Sequence, residues 1–153
     1  RPDIAMTTDI IVGFPGEEEE DFGETMEMMD GVRFDGHFSF CFSPRPGTPA
    51  ASMEPQVPRH IKEERLRKLQ EFQRKIVEEK NASFVGKTVE VLVEGRSKRN
   101  GLFTGRTPCN RVVNFPGFPG MIGRMARVSI GEAFANSLRG IPFDGGTIGE
   151  GDH

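Results

Sequence analysis

The sequence predicts two modules in tandem, an α/β segment followed by an all-β barrel, and three observations carry that reading. Residues 4 to 42 give an apolar β-branched run, a helical stripe and a second apolar run, the pattern of a βαβ unit and hence of a parallel sheet. From residue 84 onward, short runs rich in Val, Ile and Phe are separated at close intervals by Gly and Pro, as in a small closed barrel. The charge changes sign at the same place: residues 1 to 83 hold 11 basic and 17 acidic side chains, and residues 84 to 143 hold 9 basic and 3 acidic ones. The net charge of -3 hides this asymmetry, which implies modules with different partners, the second facing an anion.

Along the chain, Ile4 to Phe14 reads as a buried strand that stops at Gly13-Phe14-Pro15-Gly16. Glu17 to Asp30 follows as a helix: acids fill its first turn, Phe22, Thr25, Met26 and Met29 share one face, and Gly31 is a natural stop. Phe38, Phe40 and Phe42 alternate with Ser39 and Cys41, which predicts a strand with one strongly apolar face. The prolines of Ser43 to Pro49 exclude regular structure and predict a shaped loop at the end of that strand, where parallel α/β folds build their sites. His60 to about Asn81 carries Leu66, Leu69, Phe72 and Ile76 on one stripe and mixed charge elsewhere, an amphipathic linking helix. Beyond it, strands are expected at Thr88 to Val93, Gly101 to Arg106, Arg111 to Asn114 and Met125 to Ile130. Residues 144 to 153, rich in Gly and acid, read as a loose tail. The expected domains are therefore 1–83, 84–143 and the tail 144–153.

A chain of 153 residues that is 35% hydrophobic and 28% charged is globular rather than disordered. No apolar run reaches the roughly 18 residues that span a bilayer, and no leader pattern is present, so a cytoplasmic protein is expected, with no membrane partner. Cys41 and Cys109 are far apart and have no CxxC spacing, and His37, His60 and His153 share no metal or catalytic spacing, so no metal site is expected. The start at Arg1-Pro2-Asp3, without an initiator Met and directly before a strand, reads as a fragment cut from a longer protein.

The string Thr8-Asp9-Ile10-Ile11-Val12-Gly13-Phe14-Pro15-Gly16-Glu17, then Glu20-Asp21-Phe22, Ser39 to Phe42 and Arg45-Pro46-Gly47-Thr48-Pro49-Ala50, resembles the late barrel strands of the radical-SAM tRNA methylthiotransferase family. Ile11 and Gly13 match the core of that superfamily's GxIxGxxE pattern, although Asp9 replaces its first Gly and the Glu is displaced to position 17. Phe84-Val85-Gly86-Lys87, Val93-Glu94-Gly95, Gly105-Arg106-Thr107, Asn110 to Phe115 and Asn136 to Gly140 resemble the TRAM domain that ends these enzymes.

The resemblance implies the end of a partial TIM-like radical-SAM barrel, a linking helix and a small OB-like TRAM barrel that binds RNA. The strings Asn110 to Phe115 and Asn136 to Gly140 look most like the branch that methylthiolates C2 of isopentenyl-modified adenosine beside the anticodon. In that family S-adenosylmethionine and two 4Fe-4S clusters supply the chemistry, and three thiolates of a CxxxCxxC motif hold the radical cluster. This chain has no such motif, so on its own it is expected to be inactive and to need the missing N-terminal part as partner. By the resemblance, Ile11, Val12 and Gly13 lie at the edge of the S-adenosylmethionine site. Arg45 either offers a planar donor to a phosphate or carboxylate there or belongs to a rigid connector. No catalytic residue is expected in the chain. The basic residues Lys87, Arg96, Lys98, Arg99, Arg106, Arg111, Arg124 and Arg139 are expected to grip the phosphates of a tRNA anticodon stem-loop, with Arg127 in the same basic set. Phe103, Phe115 and Phe118 fit a core as well as a platform for bases. The rival readings are a sister methylthiotransferase acting on threonylcarbamoyl-adenosine or on a ribosomal protein, and a non-enzymatic RNA-binding module.

Overall fold

The structure, a computed structural model, describes residues 3–99 and 101–147, the last four of these by their backbone alone. The chain divides into two compact units, Arg1–Val77 and Glu78–His153, and the division falls inside a helix, upstream of the charge change at residue 84.

The first unit is a βαβ arrangement. Strand β1 (Thr7–Val12) and strand β2 (Gly36–Cys41) pair in parallel, with Ile10 opposite Ser39 and Ile11 opposite Phe40. Helix α1 (Glu19–Val32) connects them. Asp21 begins it by accepting the Glu18 backbone N–H at 2.8 Å, one half of a capping arrangement. The helix does not stop at Gly31 as expected: it runs on to Val32, and Arg33 takes the left-handed position (φ 53) with its N–H donated to Met29 O at 2.9 Å. Capping two residues later turns Phe34 into the core, where it is buried beside Phe22 and Met29.

Helix α2 (Arg59–Ala82) lays Leu69 on this core, with Leu66 and Phe72 partly buried against it, the stripe its sequence predicts. The strands depart from expectation. Ile10 and Val12 face the helices, while Ile11 is exposed, so β1 is covered on one face rather than buried on both. Pairing with β1 then fixes the phase of β2: Ser39 and Cys41 turn towards the helices, and Phe38 and Phe40, 70% and 56% exposed, stand on the open face beside Ile11. The alternation identified the strand, but the apolar side is not the side that packs on α1 and α2.

The second unit is a closed five-stranded barrel. Its strands are β3 (Thr88–Arg96), β4 (Phe103–Arg106), β5 (Val112–Phe115), β6 (Met125–Ala133) and β7 (Leu138–Thr147), in the order β3-β4-β5-β7-β6 with β6 returning to β3. All neighbours are antiparallel except β5 and β7. Alternate residues point inward, and Val91, Val93, Phe103, Val113, Phe115, Val128, Ile130 and Leu138 fill the interior, with Met121 from the β5–β6 loop as a plug. The strands cross closely enough that a Cβ on Gly105 would strike the Leu92 carbonyl oxygen.

Strand β7 has no counterpart in the sequence expectations, and it runs through residues 144 to 147, placing Thr147 opposite Ala126 where a loose tail was expected. Closure supplies the reason: β6 offers an open edge that backbone groups satisfy whatever their side chains. The remainder of the expected tail, residues 148–153, lies outside the described residues.

Candidate nucleic-acid interface

In the barrel, inward alternation leaves the basic residues outside. Lys87, Arg96, Lys98, Arg99, Arg124 and Arg127 are exposed, and among the described residues none of these six sits in an ion pair. Three rest on rings beneath them: Lys87 lies 5.6 Å from the Phe84 centroid, Arg96 5.6 Å from that of Phe103 and Arg127 5.6 Å from that of Phe143. Such contacts hold a cation's stem in place and leave hydrogen-bonding edges for phosphate.

Three more of the expected contacts have partners within this unit. Arg106 pairs with Glu94 at 3.4 Å and donates to Asn110 Oδ1 at 3.2 Å, and Arg139 pairs with Glu132 at 3.7 Å over the Phe134 ring. Arg111 is half-buried: its Nε donates to Asn81 Oδ1 at 3.2 Å, its Nη1 to Cys109 Sγ at 2.9 Å, and its plane lies 4.7 Å from the Phe84 centroid. Asn81, buried, also donates to Phe134 O at 2.9 Å. Arg111 therefore ties the end of α2 to β5, a joining role that its place in a basic sequence stretch could not reveal. Asn81 was legible only as a residue near a helix end.

In the first unit the residues at the expected cofactor edge differ in what they present. Ile11 faces outward; Val12 is buried in the core. Gly13, at φ +73, donates its N–H to Glu17 Oε1 at 3.0 Å, and a Cβ there would run into the stem of Lys62. Arg65 closes the arrangement, donating to Glu17 Oε1 at 2.8 Å and Glu17 O at 3.1 Å, while Lys62 Nζ donates to Phe42 O at 2.9 Å. The displaced acid of the sequence motif thus braces the turn after β1. Arg45 is exposed in a loop closed by Thr48, whose hydroxyl donates to Arg45 O at 2.7 Å; among the described residues no hydrogen bond or ion pair joins Arg45 to Ile11–Gly13.

No group of three or more His, Cys, Asp or Glu suited to a metal ion occurs among the described residues. Cys41 and Cys109 belong to different units. Burial raises the Cys41 thiol above its ordinary value, opposed by the positive charge of Lys62. No helix among them is long and apolar enough to cross a membrane.

The second unit is thus a small closed β-barrel with an outward basic face. Residues 82–143 match the TRAM domain family. Over nearly its whole length the chain is similar to proteins named tRNA-2-methylthio-N(6)-dimethylallyladenosine synthase. It is 52% identical over 141 residues to that of Paracidovorax citrulli, covering 92% of this chain and 31% of the relative. It is 54% identical over 140 residues to that of Acetivibrio thermocellus, covering 91% of this chain and 29% of the relative. The chain thus spans about three-tenths of the length of the curated relatives it matches.

Proposed function

We propose that this chain is the part of a tRNA-2-methylthio-N(6)-dimethylallyladenosine synthase that supplies one stretch of the catalytic barrel wall and the grip on tRNA. The observation that carries the reading is the joint one: half of the residues are identical to such enzymes across both units, and the barrel displays six cations outside any ion pair among the described residues. Each phosphate contact by such a cation releases counterions, which makes phosphates the natural partner of this surface. S-adenosylmethionine and iron–sulfur clusters would supply the radical and methyl chemistry from residues beyond this chain. Within it, Ile11 is the exposed residue of the Ile11–Gly13 segment and would be the one to meet a cofactor, with the Glu17–Arg65 brace holding the turn after β1.

The test is direct. Binding of the chain to unmodified tRNA is measured against potassium chloride concentration. A log-log slope falling by roughly 0.7 to 0.9 per phosphate contact, summing over several contacts, is expected. Salt-independent binding, or none at low salt, would overturn the reading.

A further inference from the structure

Phe118 is 59% exposed, although it lies in the β5–β6 loop that carries the buried Met121. The loop's own apolar demand is met by Met121, which is buried. A Cβ on Gly117 would sit 3.1 Å from Met121 Sδ and 3.2 Å from the Phe103 ring, so this loop lies directly on the core. Phe118 precedes Pro119 and is held extended at φ -140, ψ 158, as a residue before proline should be. Its carbonyl accepts the Met121 N–H at 3.0 Å, and its ring lies against Gly120. Burial does not account for this ring, and its backbone is fixed.

The cations gather at the same end of the barrel. Arg96 pairs across the ladder with Phe103 and stacks over it, and Lys98 and Arg99 follow in the β3–β4 turn. Arg124 is joined to the same place through Val93, whose N–H donates to Arg124 O at 2.9 Å while Gly123 N–H donates to Val93 O at 2.8 Å. Among the described residues, none of these four cations is in an ion pair.

We propose that Phe118 is a stacking platform for one unpaired nucleobase, with the phosphates flanking that nucleotide taken by Arg96, Lys98, Arg99 and Arg124. This rests on the RNA-binding reading above and sharpens it, because a ring can stack only on a base released from a duplex. The barrel end then selects looped or single-stranded RNA, whereas cations alone would take a duplex as readily.

The chain contains no Trp, so Phe118→Trp introduces a single indole at the platform. Titration of this variant with a single-stranded RNA oligonucleotide should quench its fluorescence, and an RNA duplex of equal length should not. Phe118→Ala should weaken single-strand binding about tenfold, leaving the salt slope unchanged, and Phe118→Tyr should restore it. Circular dichroism of each variant checks that the barrel is intact. Bound single strand without quenching, or a Phe118→Ala chain that binds like the parent with the usual salt dependence, removes the platform but leaves the phosphate reading standing. Failure to bind either RNA removes both. Quenching by polyglutamate but not by RNA would assign this end of the barrel to an acidic protein partner and overturn the proposal.

Discussion

Arg65 and Glu17 form an ion pair of 2.8 Å whose side chains are only 7% and 13% exposed, and the same carboxylate receives the Gly13 N–H. One buried acid therefore fixes both the turn after β1 and the approach of α2. Replacing Arg65 by Met leaves Glu17 desolvated and unpaired, and should cost on the order of 3 kcal/mol. Replacing both, as Arg65→Met with Glu17→Gln, should cost less than the sum of the single changes. Urea unfolding followed by circular dichroism at a helix wavelength reads the first unit, because both α-helices contribute to it.

In the barrel, Gly105→Ala sets a methyl against the Leu92 carbonyl, which is backbone and cannot rotate away. A loss of about 1 to 3 kcal/mol is expected, as for overpacking in a closed core. Gly101→Ala is the useful contrast: its φ is +68 but its surroundings are open, so any cost there is backbone strain alone. Thermal unfolding of the two variants separates packing from strain.

The cations should divide by function. Ala at Lys98 and Arg99 should weaken tRNA binding and lower the salt slope by roughly 0.7 to 0.9 for each lost contact. Ala at Arg106 or Arg139 should do less to the slope, since each already faces a carboxylate, Glu94 or Glu132. Arg111→Lys should lower the melting temperature instead, because an ammonium cannot reproduce the fork that reaches Asn81 and Cys109. Equal effects of all five changes on the salt slope would contradict this division.

His37 sits on β2 with Nδ1 buried and without a hydrogen-bond partner among the described residues, and burial lowers its pKa below the ordinary 6.5. The unfolded chain then takes up a proton at higher pH than the folded one. Stability contributed by the neutral ring is complete above the unfolded value and is lost as pH falls from there through the lowered folded value. His37→Gln should flatten this part of the pH profile. Comparing melting temperatures of parent and variant on both sides of pH 6.5 measures it.

Periodicity made most of the elements legible. Helices α1 and α2 and strands β3 to β6 lie where the apolar spacing and the Gly and Pro breaks indicate. Strand β7 was hidden because Leu138-Arg139-Gly140-Ile141-Pro142-Phe143 contains a proline, which argues against a strand; in the fold Pro142 lies opposite Val128, beside a shift in the ladder register, where a missing donor is tolerated. The facing of Phe38 and Phe40 was hidden for another reason, since alternation gives two faces and only pairing with β1 says which one meets the helices. At the interface the sequence named the cations but could not separate Arg111, tied to Asn81, from Lys98 and Arg99, because pairing partners distant in sequence decide it. Phe103 and Phe115 are core, as one of the two readings had it, and Phe118 is the ring left outside.

The open face of the βαβ unit bears on how the chain behaves in a tube. Among the described residues β1 and β2 pair only with each other, and Ile11, Phe38 and Phe40 are exposed side by side. Two ribbon edges with unmet backbone groups, next to a greasy surface, favour adding one molecule's strand to another's. A concentrated preparation should cloud and lose material to sediment, faster in high salt as charge repulsion is screened. Putting Lys at Phe38 and Phe40 should keep it clear while leaving the barrel's RNA binding in place.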